Sequence, residues 1–115
     1  MAFSDLELKR CERDIGRFME QRRPPVHIRS ELDLGYRIEG QSVQIFEIRP
    51  DWKDKSIKRE TPVAKATYIR TKNCWRIFWM RRDLKWHGYE PNYEVRSLEE
   101  FLSVVAKDEF CCFFG

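Results

Sequence analysis

The sequence predicts an α+β fold, a two-layer sandwich in which an N-terminal and a C-terminal helix pack on an antiparallel sheet of four or five strands. Two observations indicate this architecture. A capping sequence with an apolar stripe at helical spacing occurs near each end of the chain, and the middle alternates apolar and polar side chains as strands do. At 115 residues the chain has the size of one domain, and we expect residues 1–115 to form a single α+β domain.

The first helix is marked by its cap. Ser4 and Glu7 have the spacing of a capping box, in which each side chain bonds a backbone N–H near the other residue. Pro24 and Pro25 are expected to end the helix, because proline cannot donate a backbone hydrogen bond and disfavours helix just before it. Between these limits one face carries the apolar stripe, which consists of Leu8, Cys11, Ile15, Phe18 and Met19.

A first β-hairpin is predicted over residues 32–49, with its turn at residues 39–41, where Gly40 can adopt a positive φ. Phe46 and Ile48 point to one face of this hairpin. The other face is the expected core face and holds Tyr36, Ile38, Val43 and Ile45.

A polar loop is expected over residues 50–62, with Trp52 folded back onto the domain. After it, a second hairpin is predicted to pair residues 63–71 with residues 74–82. Its turn lies at Lys72-Asn73, because asparagine tolerates the left-handed backbone region.

A two-residue loop in this second hairpin places Ala66 opposite Trp79 and Tyr68 opposite Ile77, which is good small-against-large packing for a core face. Residues 84–90 are expected to add a fifth, shorter strand. The opposite face of the hairpin then holds Ile69, Phe78 and Met80.

The last helix repeats the logic of the first. Ser97 and Glu100 have capping-box spacing, and an apolar stripe follows at Leu98, Phe101, Leu102 and Val105. The end of the chain is unusually apolar, and its aromatic residues are expected to dock on their own domain or on a neighbouring chain; they are Phe110, Phe113 and Phe114.

Composition excludes several classes of protein. No run of about 18 apolar residues occurs, and the N-terminus lacks the basic and apolar blocks of a signal peptide, so we expect a cytoplasmic protein without membrane spans. In that compartment the four cysteines should be reduced thiols, and the adjacent Cys111 and Cys112 are badly placed to pair. The cysteine and histidine spacings do not fit a zinc site, and no cofactor motif occurs, so neither metal nor cofactor is expected.

Positive charge and aromatic rings are concentrated in residues 61–93. This segment has seven Lys and Arg residues against two Asp and Glu residues, and it contains three of the four tryptophans. Cations attract phosphates and aromatic faces stack on unpaired bases, so the segment is a candidate surface for single-stranded or structured RNA or DNA. The candidate anion-binding residues are Arg70, Lys72, Arg76, Arg82, Lys85, Trp86 and His87.

A second candidate surface is apolar. If both helices lie on one face of the sheet, the other face keeps a set of apolar residues of the kind that monomers rarely leave exposed. A loop, the aromatic tail, a second copy of the chain or a ligand would have to cover it. The candidate interaction residues are Phe46, Ile48, Ile69, Phe78, Met80, Phe113 and Phe114.

Four blocks of the sequence carry a resemblance that extends over nearly the whole chain. They are FSDLELKR, EGQSVQIFEIRPDW, CWRIFWMRRDLKWHGYEP and CFFG, of which the tryptophan-rich block is the most specific. Together they resemble a family of short bacterial proteins known as domain of unknown function 3024. The resemblance implies a bacterial, free-standing, single-domain protein, and it implies no activity, substrate or catalytic residue.

Catalysis is the least favoured class of function. No nucleophile elbow, phosphate-binding loop, dinucleotide fingerprint or zinc-protease motif occurs, and His27 and His87 lie far apart in the sequence. We favour a small cytoplasmic interaction module, acting through a mixed aromatic and basic sheet face or through self-association. Nucleic-acid binding is the alternative. A protein partner, a homodimer and a small-molecule ligand all stay open at this point.

Overall fold

A computed structural model describes residues 3–110 and 112–114, and it confirms the α+β architecture of two helices and one antiparallel sheet. Short 3-10 turns occupy Val26–Ile28 and Glu90–Asn92. The strands lie in the order β1-β2-β3-β4-β5, and β6 also pairs with β4. The elements are α1 (Asp5–Arg22), β1 (Asp33–Glu39), β2 (Ser42–Pro50), β3 (Lys58–Ile69), β4 (Cys74–Met80), β5 (Trp86–Gly88), β6 (Glu94–Val95) and α2 (Leu98–Lys107).

The predicted first hairpin and its faces are confirmed. Glu39 pairs with Ser42, which leaves a two-residue loop in which Gly40 has a φ of 58°. Glycine takes this left-handed conformation without steric cost. The register places Tyr36 opposite Ile45 and Ile38 opposite Val43, as the alternation predicts.

Strand β3 begins earlier than the sequence indicates, so the loop spans residues 51–57 and the prediction of a loop over 50–62 is wrong. The charged start of β3 pairs with the end of β2, with Lys58 opposite Pro50. The first four side chains of β3 are exposed, so this part of the sequence lacks the alternation of apolar and polar residues that marks a strand. The ladder between β2 and β3 shifts register at one point. Ile45 pairs with Ala64, but the next residue, Phe46, pairs with Pro62, so Val63 is skipped. Such a bulge tolerates the missing N–H of proline.

The second hairpin has the predicted faces but a different register. Ala66 lies opposite Ile77, and Tyr68 lies opposite Trp75, a shift of two residues from the expected pairing. The cause is the loop, which contains the four residues 70–73. Asn73 has a φ of 50°, in agreement with its predicted place in the turn. Because a shift of two keeps side chains on the same face, the core assignment is unaffected.

Both helices lie on one face of the sheet. The capping box of α1 is present, with Ser4 and Glu7 bonding each other's backbone N–H groups. At the start of α2, the described hydrogen bonds contain one half of the predicted second capping box, in which Ser97 accepts from the N–H of Glu100. The core between the layers includes Cys11, Ile15, Phe18, Val43, Ile45, Ala66, Trp75, Ile77, Phe101 and Val105.

Two of the three tail phenylalanines, Phe113 and Phe114, dock on their own chain, on the helix side of the sheet. The expectation that Phe110 docks is wrong, since it is 58% exposed. Asp108 ends α2 in the left-handed region, and its carboxylate accepts from the N–H groups of Phe113 at 3.0 Å and Phe114 at 2.9 Å. The Phe113 ring is buried 4.8 Å from that of Tyr89. Phe113 therefore does not cover the apolar face around Phe78, and this alternative is wrong for Phe113. Of the adjacent cysteines, Cys111 lies outside the described residues.

The structure also bears on the position of Trp52 and on membrane-spanning helices. Trp52 does not fold back, since 83% of it is exposed. Its ring contacts the ammonium group of Lys53 instead, at 4.9 Å. In the described part of the chain, no helix has the length and apolar character that crossing a membrane requires.

Candidate functional site: the open face of the sheet

The sheet surface that faces away from the helices, here called the open face, is built from alternate strand residues. Lys65 of β3 pairs with Phe78 of β4, which in turn pairs with Gly88 of β5. Two residues further along β4, Met80 pairs with Trp86. Because paired residues share a face, this register brings one cation and two aromatic side chains together at the centre of β3, β4 and β5.

Lys65 occupies the middle of this group. Its ammonium nitrogen lies 5.0 Å from the ring centroid of Phe78 and 5.0 Å from that of Trp86. Burial lowers the pKa of the Lys65 amine, since desolvation disfavours the charged form. Among the described residues it has no carboxylate partner. The result is a partly desolvated cation in contact with two aromatic rings.

Tyr93 forms a third aromatic wall. Its ring lies directly over Gly88, where an added Cβ would approach within 2.6 Å of the tyrosine, and it meets the Phe78 ring edge-on at 6.4 Å. Only glycine leaves room for this close approach. The guanidinium of Arg76 stacks 5.5 Å from the Tyr93 ring and pairs with Glu94 at 3.2 Å. Arg76 is thus on the open face, but its charge is already neutralised.

The far side of the open face, on β1 and β2, is less apolar than the sequence suggests. Phe46 is buried, because it lies over Gly35 and under the guanidinium of Arg37 at 5.0 Å. Arg37 is held there by Glu60 at 2.7 Å. The remaining candidates on this face, Ile48, Ile69, Phe78 and Met80, are each half-buried. Arg37 and Lys65 therefore cover two members of the predicted patch, Phe46 and Phe78.

The turn between β4 and β5 adds cations beside this face. Arg82 and Lys85 are exposed and form no ion pair within the described part of the chain. The carboxylate of Asp83 bonds other groups of the turn: it accepts from the backbone N–H of Lys85 and bonds the His87 ring at 2.8 Å. The His87 hydrogen bond is the main cause of the lowered pKa of Asp83.

The structure divides the predicted anion-binding residues. Arg70 and Lys72 lie in the β3–β4 turn, at the opposite end of β4 from Arg82 and Lys85. Strand β4 has seven residues, so at about 3.3 Å per residue the two groups are separated by roughly 20 Å. Arg70 is also held by Glu7 at 3.1 Å.

Three other candidates lie on the helix side of the sheet. His87 pairs with Trp79 of the core face and so points away from Trp86. Phe113 belongs to the core, and Phe114 contacts the guanidinium of Arg22 at 5.0 Å. These two phenylalanines do not join Phe78 and Met80 in one surface.

A groove of about 730 Å³ lies along β5 at the edge of the sheet, where Trp79 and His87 line it from the helix side and Tyr93 from the open face. Its chemistry is mixed, with an imidazole oriented by Asp83 and the Arg81 guanidinium stacked 5.5 Å from the Trp79 ring. The Cys112 thiol also lines the groove, and no hydrogen bond joins it to the His87 ring among the described residues. The lining residues include Trp79, Arg81, His87, Tyr89, Glu90 and Phe110. Nowhere in residues 3–110 and 112–114 do three or more His, Cys, Asp or Glu side chains group as metal ligands.

Sequence reasoning set Lys65 on the same face as Phe78 and Met80, but it named neither Lys65 nor Tyr93 as a candidate site residue. The expected two-residue loop set Lys65 opposite Met80, so its contact with Phe78 was not visible. The signal for Tyr93 is the glycine at position 88, a gap in the open face that a nearby ring can fill.

The fold and this face define a class, that of small α+β proteins with an open antiparallel sheet bearing stacked cations and aromatic rings. A model of the family Domain of unknown function (DUF3024) matches residues 3–115, and the chain belongs to this family. The resemblance noted from sequence is thereby confirmed. No match was found among curated proteins or among solved structures.

Proposed function

We propose that this protein is a small cytoplasmic interaction module whose open face binds single-stranded nucleic acid. The observation that carries the proposal is Lys65, a half-buried cation that contacts Phe78 and Trp86 and has no carboxylate partner in the described residues. A phosphate would supply the missing counter-charge, and the flanking rings offer surfaces for unpaired bases.

The charge beside Lys65 supports the same ligand. Arg82 and Lys85 are exposed at the adjoining turn and have no ion-pair partner among the described residues. Trp86 directly follows this turn and is half-buried on the open face. A strand that passes the turn and then the Lys65 group would meet cations and rings in alternation, which is the usual construction of a single-strand groove.

Self-association is the competing function for this face. Exposed apolar area is the driving force for association. Here Phe46 is buried beneath Arg37, and Lys65 covers part of Phe78, so little continuous apolar surface is available. The same cation-covered rings suit an anionic ligand better than a second copy of a positively charged chain, whose net charge is +3.

Fluorescence anisotropy with a labelled single-stranded oligonucleotide tests the proposal. The protein should bind at low salt and lose affinity as salt rises. Lys65→Ala should reduce the slope of log K against log salt by about 0.7, the value expected for one lost phosphate contact on a single strand. Trp86→Ala should weaken binding by about 1–3 kcal/mol with little change in that slope.

Lys72→Ala is the matched control, since it removes an exposed lysine at the other end of β4. It should alter binding less than Lys65→Ala does. Absence of binding at low ionic strength would refute the proposal. A dimer on a sizing column that Phe78→Ala dissociates would support self-association instead.

A further inference from the structure

The loop between β2 and β3, residues 51–57, is ordered by hydrogen bonds around a buried carboxylate. Asp51 is 8% exposed, and it accepts from the backbone N–H groups of Lys53 at 3.1 Å and Asp54 at 3.2 Å. Its other oxygen accepts from Arg59 Nε at 2.5 Å. The backbone closes the loop with bonds from the Asp51 N–H to the Ile57 carbonyl and from the Ile57 N–H to the Asp54 carbonyl. These hydrogen bonds therefore fix the backbone conformation of residues 51–57.

That conformation turns an aromatic ring outward. Trp52 is 83% exposed, the highest value among the large apolar residues described, and Ile57 is 48% exposed. The hydrogen bonds fix the backbone on both sides of Trp52, and the Trp52 ring lies exposed with the Lys53 ammonium 4.9 Å from its centroid.

At this tip, more of the carboxylates than of the lysines form ion pairs. Two nearby carboxylates are paired with guanidinium groups, Asp51 with Arg59 and Glu60 with Arg37. The third, Asp54, accepts from the Ser56 hydroxyl and keeps its charge. Lys53 and Lys55 have no carboxylate partner in the part of the chain that is described. The tip therefore presents an exposed indole with two lysines against the single unneutralised carboxylate of Asp54. An exposed ring with an excess of positive charge is complementary to a phosphate backbone with unpaired bases.

The register places this tip at the same end of the sheet as the β4–β5 turn. Ala64 pairs with Trp79 near the end of β4, so residues 58–62 of β3 extend past β4 toward the loop. Arg82 and Lys85 leave the sheet at that same end. From Lys65 to Lys58 the path along β3 is about 23 Å at roughly 3.3 Å per residue, well within the span of an oligonucleotide.

We infer that Trp52, with Lys53 and Lys55, is a second stacking platform for the single-stranded nucleic acid bound by the open face. This inference rests on the proposed function and extends its site to the tip of the β2–β3 loop. The indole stacks on an unpaired base, and the two ammonium groups contact the flanking phosphates. Duplex DNA binds more weakly at this platform, because its bases are already stacked on one another.

Anisotropy titrations of a 16-nucleotide single strand, with the duplex of the same sequence beside it, test the platform. Trp52→Ala should weaken single-strand binding roughly 5- to 100-fold, in the range known for one stacked base, while leaving the salt slope unchanged. Trp52→Phe keeps a ring and should restore most of the affinity. Lys55→Ala should lower the salt slope by about 0.7. Leu6→Ala, at another exposed apolar position, is the matched control and should bind as the wild type does.

The outcomes separate this inference from the proposed function. If Trp52→Ala binds like the wild type while Lys65→Ala is weakened, the platform is refuted and the open face stands. If Trp52→Ala is weakened and Lys65→Ala is not, the platform is supported and the open face is not the main site. A wild-type protein that binds no single strand overturns both, and so does Trp52-dependent binding to anionic phospholipid vesicles without any binding to the oligonucleotide.

Discussion

The guanidinium of Arg70 donates to both carboxylate oxygens of Glu7, at 3.1 and 3.2 Å, and ties the β3–β4 turn to the first turn of α1. The two residues are 63 positions apart in the chain. Glu7 thus serves the capping box of α1 and the attachment of that helix to the sheet. Arg70 was a candidate for anion binding, and this contact gives it a structural partner.

Acid stability should report on this contact. The Arg70 hydrogen bond, with that of the Ser4 N–H, lowers the pKa of Glu7 from 4.5 to about 2. A depressed carboxyl pKa stabilises the fold above the unfolded-state value, and this stabilisation is lost as pH falls through the folded-state value. Glu7→Gln preserves capping-box chemistry but removes the charge. The wild type should therefore have the higher melting temperature at pH 7, and the difference should shrink between about pH 4.5 and pH 2. A difference that persists unchanged at pH 2 would contradict this assignment.

The two tryptophans of β4 should differ in their contribution to stability. Trp75 is 7% exposed and packs against Phe3 at 5.7 Å and Tyr68 at 5.2 Å, whereas Trp79 is half-buried at the wall of a groove. Trp75→Ala should cost about 3–5 kcal/mol of unfolding free energy, and Trp79→Ala should cost less. Lys72→Ala should stay within about 0.5 kcal/mol of the wild type. Denaturant melts measure all three, and an equal loss for both tryptophans would be inconsistent with this packing.

The tail should stabilise the fold through Phe113 and not through Phe110. Phe113 is buried against Tyr89, whereas Phe110 is 58% exposed. Phe113→Ala should cost about 3–5 kcal/mol, and Phe110→Ala about 0.5 kcal/mol or less. Because the tail docks on its own chain, the melting temperature of each variant should not depend on protein concentration. A concentration-dependent melt would indicate docking between chains.

The carboxylate that holds the tail can be tested by itself. Asp108 accepts two backbone N–H bonds from Phe113 and Phe114 and has a φ of 42°. Asn tolerates this left-handed conformation, so Asp108→Asn changes the hydrogen bonding without new backbone strain. It should destabilise the protein by about 1–3 kcal/mol, the cost of weakening partly buried bonds. If Asp108→Asn melted like the wild type, the carboxylate would not hold the tail.

Gly35 and Phe46 should be energetically coupled. A Cβ at position 35 would lie 2.6 Å from the Phe46 ring, so Gly35→Ala should cost about 1–3 kcal/mol through overpacking. Phe46→Ala removes the ring that a Cβ would meet. The double variant should therefore lose less stability than the sum of the single variants. Strict additivity in denaturant melts would show that the two positions do not touch.

Sequence patterns predicted the layers and faces of this protein well, because both depend on local periodicity. The stripe around Ile15 and the alternation around Val43 each mark a buried surface. The register of the second hairpin depended on the length of the loop at residues 70–73, which no periodicity records. For the same reason the group around Lys65 was not predictable, since it requires the pairing with Phe78.

Charged and terminal segments were less predictable still. The start of β3 has exposed side chains, so its strand conformation comes from pairing with β2 and leaves no hydrophobic signal. The sixth strand has only two residues, Glu94–Val95. The side of the sheet on which Phe113 docks depends on the hydrogen bonds made by Asp108, which composition does not reveal.

The indole N–H signals of the four tryptophans in a ¹H–¹⁵N spectrum test the open-face binding site most directly, because each indole lies in a different part of the molecule. On addition of a single-stranded oligonucleotide at low salt, the Trp86 signal should shift, and the Trp52 signal should shift with it. The signal of Trp75, which is buried between the sheet and Phe3, should stay in place. An oligonucleotide that leaves the Trp86 signal unmoved at saturation, or that moves only Trp79 on the helix side, would contradict binding at the open face.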